Sequence, residues 1–297
     1  MKSPDRLQQK ARIALVAPAR KIFPKEMEKA VIWLQQKGFE AVYDDRLFAV
    51  CNQYAGDDAL RSEIFQYYLD RDDIAAIWLV RGGYGGLHIV DNLNFTTFLK
   101  HPKWIIGYSD STVFHGKLQR LGFESIHATM PINVSDNSEA ALQSLFDALT
   151  GNPLHYVFST YSMNRLGTVE ADVVGGNLSV LYSMLGSDTF PDLKGKLLFL
   201  EDLDEYLYHI DRMVLALKRA GKLCGLAGLI VGGMTDMHDN TVSFGMTAEA
   251  IIANHTAEYG YPLCCGFPAG HFADNRAIIF GRKAKLQIET KEVAFWQ

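Results

Sequence analysis

Cysteine is scarce in this chain: Cys51, Cys224, Cys264 and Cys265 are the only four among 297 residues. None forms a Cys-x-x-Cys pair, and the adjacent Cys264 and Cys265 are poorly placed to bridge each other. That usage argues against a disulfide scaffold or a structural zinc site and fits a reducing compartment. Positive charge is short as well, with 29 Lys and Arg against 34 Asp and Glu and a net charge of −5. Without a Lys/Arg cluster there is no basic face for nucleic acid, so nucleic acid is not an expected partner. No apolar run approaches the ~18–20 residues of a membrane span. The first 20 residues lack the apolar core of a signal peptide, because the run 13–17 stops at Pro18 and reads as a strand. The expectation is a soluble, cytoplasmic protein with no membrane partner. Internal repeats and low-complexity tracts are also missing.

What is present is ordinary globular material. Hydrophobic residues make up 48% and charged residues 21% of the chain, enough to fill a core. The length suits one large domain or two moderate ones. Strand patterns at 12–17, 39–43, 75–80 and 104–108 alternate with helical patterns at 24–38, 56–69 and 111–121, followed by a helix over 140–149. Such alternation predicts an α/β fold, a mostly parallel sheet with helices on both faces. Gly151-Asn152-Pro153 breaks the last of these helices, and the stretch to 168 is polar and weakly periodic. We therefore expect an N-terminal domain over 1–150, a linker over 151–168 and a second domain over 169–297. Strand patterns in the latter fall at 169–174, 196–200 and 226–231, and helical ones at 177–185, 210–220 and 247–257.

Four motifs carry chemistry. In Gly107-Tyr108-Ser109-Asp110-Ser111 an apolar strand runs into Gly-x-Ser and then a helix. A serine there projects its hydroxyl above the carboxyl edge of the sheet, and the N–H of Asp110 faces the position of an oxyanion. Ser111 replaces the second glycine of a nucleophile elbow, and a plain N-cap role for Ser109 or Ser111 is the competing reading. Arg81-Gly82-Gly83-Tyr84-Gly85-Gly86 follows the third strand. It is not a dinucleotide fingerprint, because His88 stands where the third glycine belongs, and no Gly-Lys-Ser/Thr makes it a P-loop. It offers a backbone N–H as a second oxyanion donor, or is a simple tight turn, while Arg81 could bind a carboxylate. The buried strand ending in Glu201-Asp202 supplies an acid able to orient a histidine, or merely two solvated carboxylates. His271 sits on the stiff loop Gly266-Phe267-Pro268-Ala269-Gly270, as a proton shuttle requires; a plain surface-loop histidine is the competing reading. His115 and His127 read as residues that pack or that support the site from behind. Asp236, His238 and Asp239 lack a partner set at ligand spacing, so no metal is expected, and no cofactor either. The order serine, acid, histidine is one known for triads.

Taken together these motifs resemble the LD-carboxypeptidases, or muramoyltetrapeptide carboxypeptidases, of the S66 serine peptidases. The resemblance also rests on Ala17-Pro18, Gly175-Gly176-Asn177-Leu178 and Tyr208-His209-Ile210-Asp211-Arg212-Met213. It implies a flavodoxin-like N-terminal domain, a smaller mixed α/β C-terminal domain and a homodimer. It implies Ser109 as nucleophile, His271 as base and Glu201 as the acid orienting it, with the N–H groups of Gly83 and Asp110 forming the oxyanion hole. For the substrate's terminal carboxylate Arg81 is the first candidate and Asn177 the second. The implied substrate is a small peptide, cytoplasmic murein tetrapeptide losing its terminal D-alanine during peptidoglycan recycling. His127-Ala128-Thr129-Met130 departs from the His-Gly-Pro of relatives. Two alternatives stand beside this reading: a sister hydrolase that cleaves a peptidyl- or aminoacyl-nucleotide antibiotic, and a non-catalytic small-ligand binding module.

Overall fold

The computed structural model describes residues 1–297. In chain order the first half contains β1 (Arg12–Val16), α1 (Pro24–Gln36), β2 (Glu40–Val42), α2 (Asp58–Asp70), β3 (Ala76–Leu79), the one-turn α3 (Gly86–Ile89), β4 (Trp104–Gly107), α4 (Thr112–Leu121), β5 (Ser125–His127) and α5 (Glu139–Thr150). The second half contains β6 (His155–Ser159), β7 (Gly167–Asn177), α6 (Leu178–Ser183), β8 (Leu197–Leu203), α7 (Leu207–Arg219), β9 (Gly228–Thr235), α8 (Ala248–His255), β10 (Leu263–Cys265), β11 (Ile278–Phe280), β12 (Lys283–Ile288) and β13 (Glu292–Trp296).

Local chemistry sets many of these boundaries. Asp57 caps α2 by accepting the Leu60 N–H at 2.8 Å, and Ser138 caps α5 by accepting that of Ala141 at 3.0 Å. Gly122 and Gly151 end α4 and α5 in the left-handed region, at φ 84° and 79°. The last turn of α2 is closed by buried Lys103, which donates to the carbonyls of Tyr68, Leu69 and Arg71. Burial lowers the pKa of this lysine to about 8.

The first sheet has the order β2-β1-β3-β4-β5-β11, with β2 through β5 parallel. The order 2-1-3-4-5 is the flavodoxin-like winding that was expected. The second sheet, β10-β9-β8-β7-β12-β13-β6, is parallel from β10 to β7 and antiparallel from β7 to β6. Two findings concern the expected boundaries. The segment read as a linker contains β6, with its Tyr156 buried, so part of it is the edge strand of the second sheet. And β11 crosses back to pair antiparallel with β5, so a strand from the second half completes the first sheet before β12 and β13 return to the other.

Because strand side chains alternate between faces, Ile13 and Leu15 enter one core while Ala14 and Val16 enter the other. The same two cores take Leu197 and Phe199, and Leu198 and Leu200, from β8. Each apolar layer thus runs through both sheets. At the seam, backbone must approach closely. A Cβ on Gly176 (φ 137°) would lie 2.3 Å from Thr112 Oγ1, and one on Gly175 (φ 131°) 2.0 Å from the Phe199 carbonyl. The contact these glycines permit is a hydrogen bond, Asn177 N–H to Thr112 Oγ1 at 2.9 Å, which ties β7 to the start of α4.

Candidate active site

β4 ends at Gly107, and the chain turns sharply into α4. Ser109 takes up the turn at φ 62°, a left-handed conformation that costs a non-glycine residue on the order of 1–3 kcal/mol. Gly107 is required beneath it, since a Cβ there would meet Ser111 Oγ at 2.4 Å. Neither Ser109 nor Ser111 caps α4 with its hydroxyl, so the capping alternative does not describe this turn. His115 braces it from below. Its Nε2 lies 2.9 Å from the Gly107 carbonyl and its Nδ1 2.8 Å from Ser125 Oγ. A carbonyl only accepts, so Nε2 carries the proton and the serine hydroxyl donates to Nδ1. Burial holds the His115 pKa down at about 4, which keeps that ring neutral.

The glycine turn after β3 lies against this serine. A Cβ on Gly82 would sit 3.2 Å from Ser109 Cβ and 3.4 Å from Asp110 N. The turn is held from two sides. The buried carboxylate of Asp110 accepts the Gly86 N–H at 2.7 Å, and buried Arg61 donates to the Gly85 carbonyl at 3.0 Å and to that of Pro18. Sequence reasoning missed both braces. The signal for Arg61 was present, since it shares the core-facing stripe of α2 with Ile64, Phe65, Tyr68 and Leu69. The role of the Asp110 side chain had no signal, because the position was read only for its backbone.

Glu201 and His271 come from the second sheet, on β8 and after β10. Glu201 on β8 is fully buried, and its Oε2 lies 2.5 Å from His271 Nδ1. Gly270, at φ 128°, lets the histidine loop come this near, since a Cβ there would stand 3.2 Å from Glu201 Cβ. Buried Asn275 fixes the same loop by accepting the Gly270 N–H at 2.8 Å. Tyr108 packs on the imidazole with ring centroids 4.8 Å apart. Burial alone would lower the His271 pKa. The charge of Glu201, its hydrogen bond and the charge of Asp202 outweigh that, and the pKa stands above the usual histidine value. Asp202 is also buried, and burial together with the Glu201 charge raises its pKa to about 7. It accepts from Asn177 Nδ2 at 2.8 Å and from the N–H groups of Ser179 and Leu203, both at 2.9 Å.

Ser109 and His271 line one cleft of about 420 Å³, with the backbone of Gly83 and Asp110 beside them. The two side chains share no direct hydrogen bond, a looseness common in active sites without substrate. Arg81 and Asn177 reach the same cleft. Each is engaged within the protein, however. Arg81 bonds the Lys21 carbonyl at 3.2 Å and lies 3.6 Å from Glu26, while Asn177 caps α6 and holds Asp202. His127 is buried among Tyr108, Phe199 and Phe280, as the packing reading expected.

A strained serine above a parallel sheet, facing a histidine whose far nitrogen is held by a buried acid, is the apparatus of serine-type acyl transfer. Comparison with known proteins narrows this class. Residues 13–128 match the family model of the LD-carboxypeptidase N-terminal domain, and residues 170–286 that of the C-terminal domain. A probable murein peptide carboxypeptidase of Bacillus subtilis is 30% identical over 286 residues, 94% of this chain and 89% of the relative. The crystal structure of muramoyltetrapeptide carboxypeptidase from Oxalobacter formigenes superposes with a TM-score of 0.87 at 26% identity, covering 96% of this chain and 98% of that one. MccF in complex with glutamyl sulfamoyl guanosine shares the fold, with a TM-score of 0.86 at 19% identity over 98% of this chain and 97% of that one. The chain belongs to the LD-carboxypeptidase family and is a serine-type carboxypeptidase.

Proposed function

We propose that the protein hydrolyses the L,D peptide bond to the C-terminal D-alanine of murein tetrapeptide, in the cytoplasm, as a step in peptidoglycan recycling. The observation that carries this reading is the convergence of Ser109 at φ 62° and a Glu201-bound His271 in one cleft. The names of the relatives supply the substrate class.

With Nδ1 committed to Glu201, Nε2 of His271 is the nitrogen free to take the Ser109 proton. The serine oxygen attacks the scissile carbonyl, and the N–H groups of Gly83 and Asp110 stabilise the oxyanion. His271 then gives its proton to the departing amine of D-alanine. Water enters, loses its proton to His271 and releases the acyl group, restoring the serine. Glu201 steadies the imidazolium throughout. A homodimer formed of units with the boundaries given above is the assembly this reading carries.

Mass spectrometry of purified murein tetrapeptide after incubation with the protein tests the proposal. The expected product is lighter by one alanine residue. The MccF likeness makes an aminoacyl sulfamoyl nucleoside the natural second substrate to assay. Turnover of that compound with the tetrapeptide left intact would replace the peptidase reading, and turnover of neither would favour a binding module.

A further inference from the structure

A carboxypeptidase must hold a free carboxylate beside its oxyanion hole. The leaving nitrogen and the terminal carboxyl carbon share one Cα and stand only about 2.5 Å apart. The anchoring cation therefore has to abut the oxyanion donors. The charged groups of the cleft are few. Asp204 and Glu205 repel a carboxylate, His271 is committed to Glu201, and Arg81 is turned back toward Glu26 and the Lys21 carbonyl.

Arg20 remains. It follows β1, its backbone N–H reaches the Gly82 carbonyl at 3.4 Å, and its side chain lies across Gly83, where a Cβ would meet its Cδ at 2.5 Å and its Nε at 2.8 Å. Arg20 is exposed, lines the cleft with Ser109 and His271, and its guanidinium forms no hydrogen bond or ion pair elsewhere in the chain. Resting on the peptidase reading above, we propose that Arg20 binds the substrate's terminal carboxylate and thereby restricts the enzyme to the last residue of a peptide. A guanidinium presents two parallel N–H groups to a carboxylate, so the contact orients the leaving residue as well as holding it. Gly83, at φ 108°, needs glycine for its backbone, and the missing side chain leaves the room in which the arginine lies.

The test compares tetrapeptide ending in D-alanine with its C-terminal carboxamide, measuring kcat and KM for wild type, Arg20→Gln and Arg81→Ala. Circular dichroism checks each fold. Wild type is expected to favour the acid on the order of 10²-fold in kcat/KM. Arg20→Gln should erase that preference, chiefly through KM on the acid, and leave turnover of the amide near wild type. Arg81→Ala should keep the preference within a few-fold. An unchanged acid-to-amide ratio in Arg20→Gln overturns the assignment, as does a collapse of the ratio in Arg81→Ala alone, and in both cases the peptidase reading survives. Wild type that cleaves neither substrate overturns the reading and this assignment with it.

Discussion

The two sheets contribute to the cleft by different physics. The first supplies conformation: a serine at φ 62°, a glycine turn pressed against it, and neutral braces such as His115 beneath. The second supplies charge: Glu201 and Asp202, adjacent and both buried, with an imidazole held against the former. Strain places an atom and buried charge sets a proton's affinity. The division teaches that substitutions on the two sides should fail in distinguishable ways. On the serine side geometry is lost, and on the acid side the pH profile moves.

The largest expected effect belongs to the proposed nucleophile. Ser109→Ala should lower kcat on the order of 10⁴–10⁶-fold without unfolding the protein, read by release of D-alanine and by thermal melting. Ser109→Gly sharpens the contrast. It should be as inactive, yet more stable by about 1 kcal/mol, because glycine relieves the left-handed strain. An inactive glycine variant that melts below wild type would show that no strain is stored there.

Next comes the acid. Glu201→Gln removes the charge that favours the imidazolium and should lower kcat on the order of 10³–10⁴-fold. The remaining activity should have its acid limb at lower pH, since the Glu201 charge and hydrogen bond both raise the His271 pKa. An unmoved limb would mean that His271 is not the group being titrated.

The seam between the sheets comes third. Gly176→Ala forces a Cβ toward Thr112 Oγ1 at a glycine-only φ of 137°. A cost of about 2–4 kcal/mol is expected by denaturant unfolding. Because β7 and α4 lean on each other here, kcat should fall too, more than for an equally destabilising change remote from the seam. Stability loss with unaltered kcat would argue that the two halves position their residues independently.

The same contrast governs how much could be read from sequence. Conformation leaves local marks. Gly107-x-Ser109 at a strand's end, the glycines after β3 and the Gly270-His271 loop all signalled their turns, and β1, α1, α2, α4, β7 and α7 fell close to the expected spans. Elements defined by distant pairing left weak marks: β11, three residues long, exists because β5 offers it an edge. Charge placement was legible only in part. Glu201 and His271 were singled out through their motifs, and the fold brings the two into contact. The rise of the Asp202 pKa depends on burial in the folded chain, and the choice between Arg20 and Arg81 on which of them has a partner in the fold, neither of which is a local property.

The smallest effect is the most specific to the charged side. Asp202 contributes to the raised His271 pKa, after burial and Glu201. Asp202→Asn removes a negative charge, so the imidazolium is less favoured and its pKa falls. The acid limb of kcat/KM should therefore move to lower pH, with the plateau rate changed little. Stability gives an independent sign. The Asp202 pKa is raised to about 7 in the fold from 3.8, so the folded state keeps a proton that the unfolded chain has released. That contribution is complete below 3.8 and is lost as pH rises through about 7. An asparagine does not titrate, so the melting temperature of Asp202→Asn relative to wild type should climb between pH 4 and pH 8. A limb that moves while relative stability stays flat would place the perturbation on His271 alone. If neither moves, Asp202 serves only to accept the hydrogen bonds of Asn177, Ser179 and Leu203, and the acidic side of the cleft reduces to Glu201.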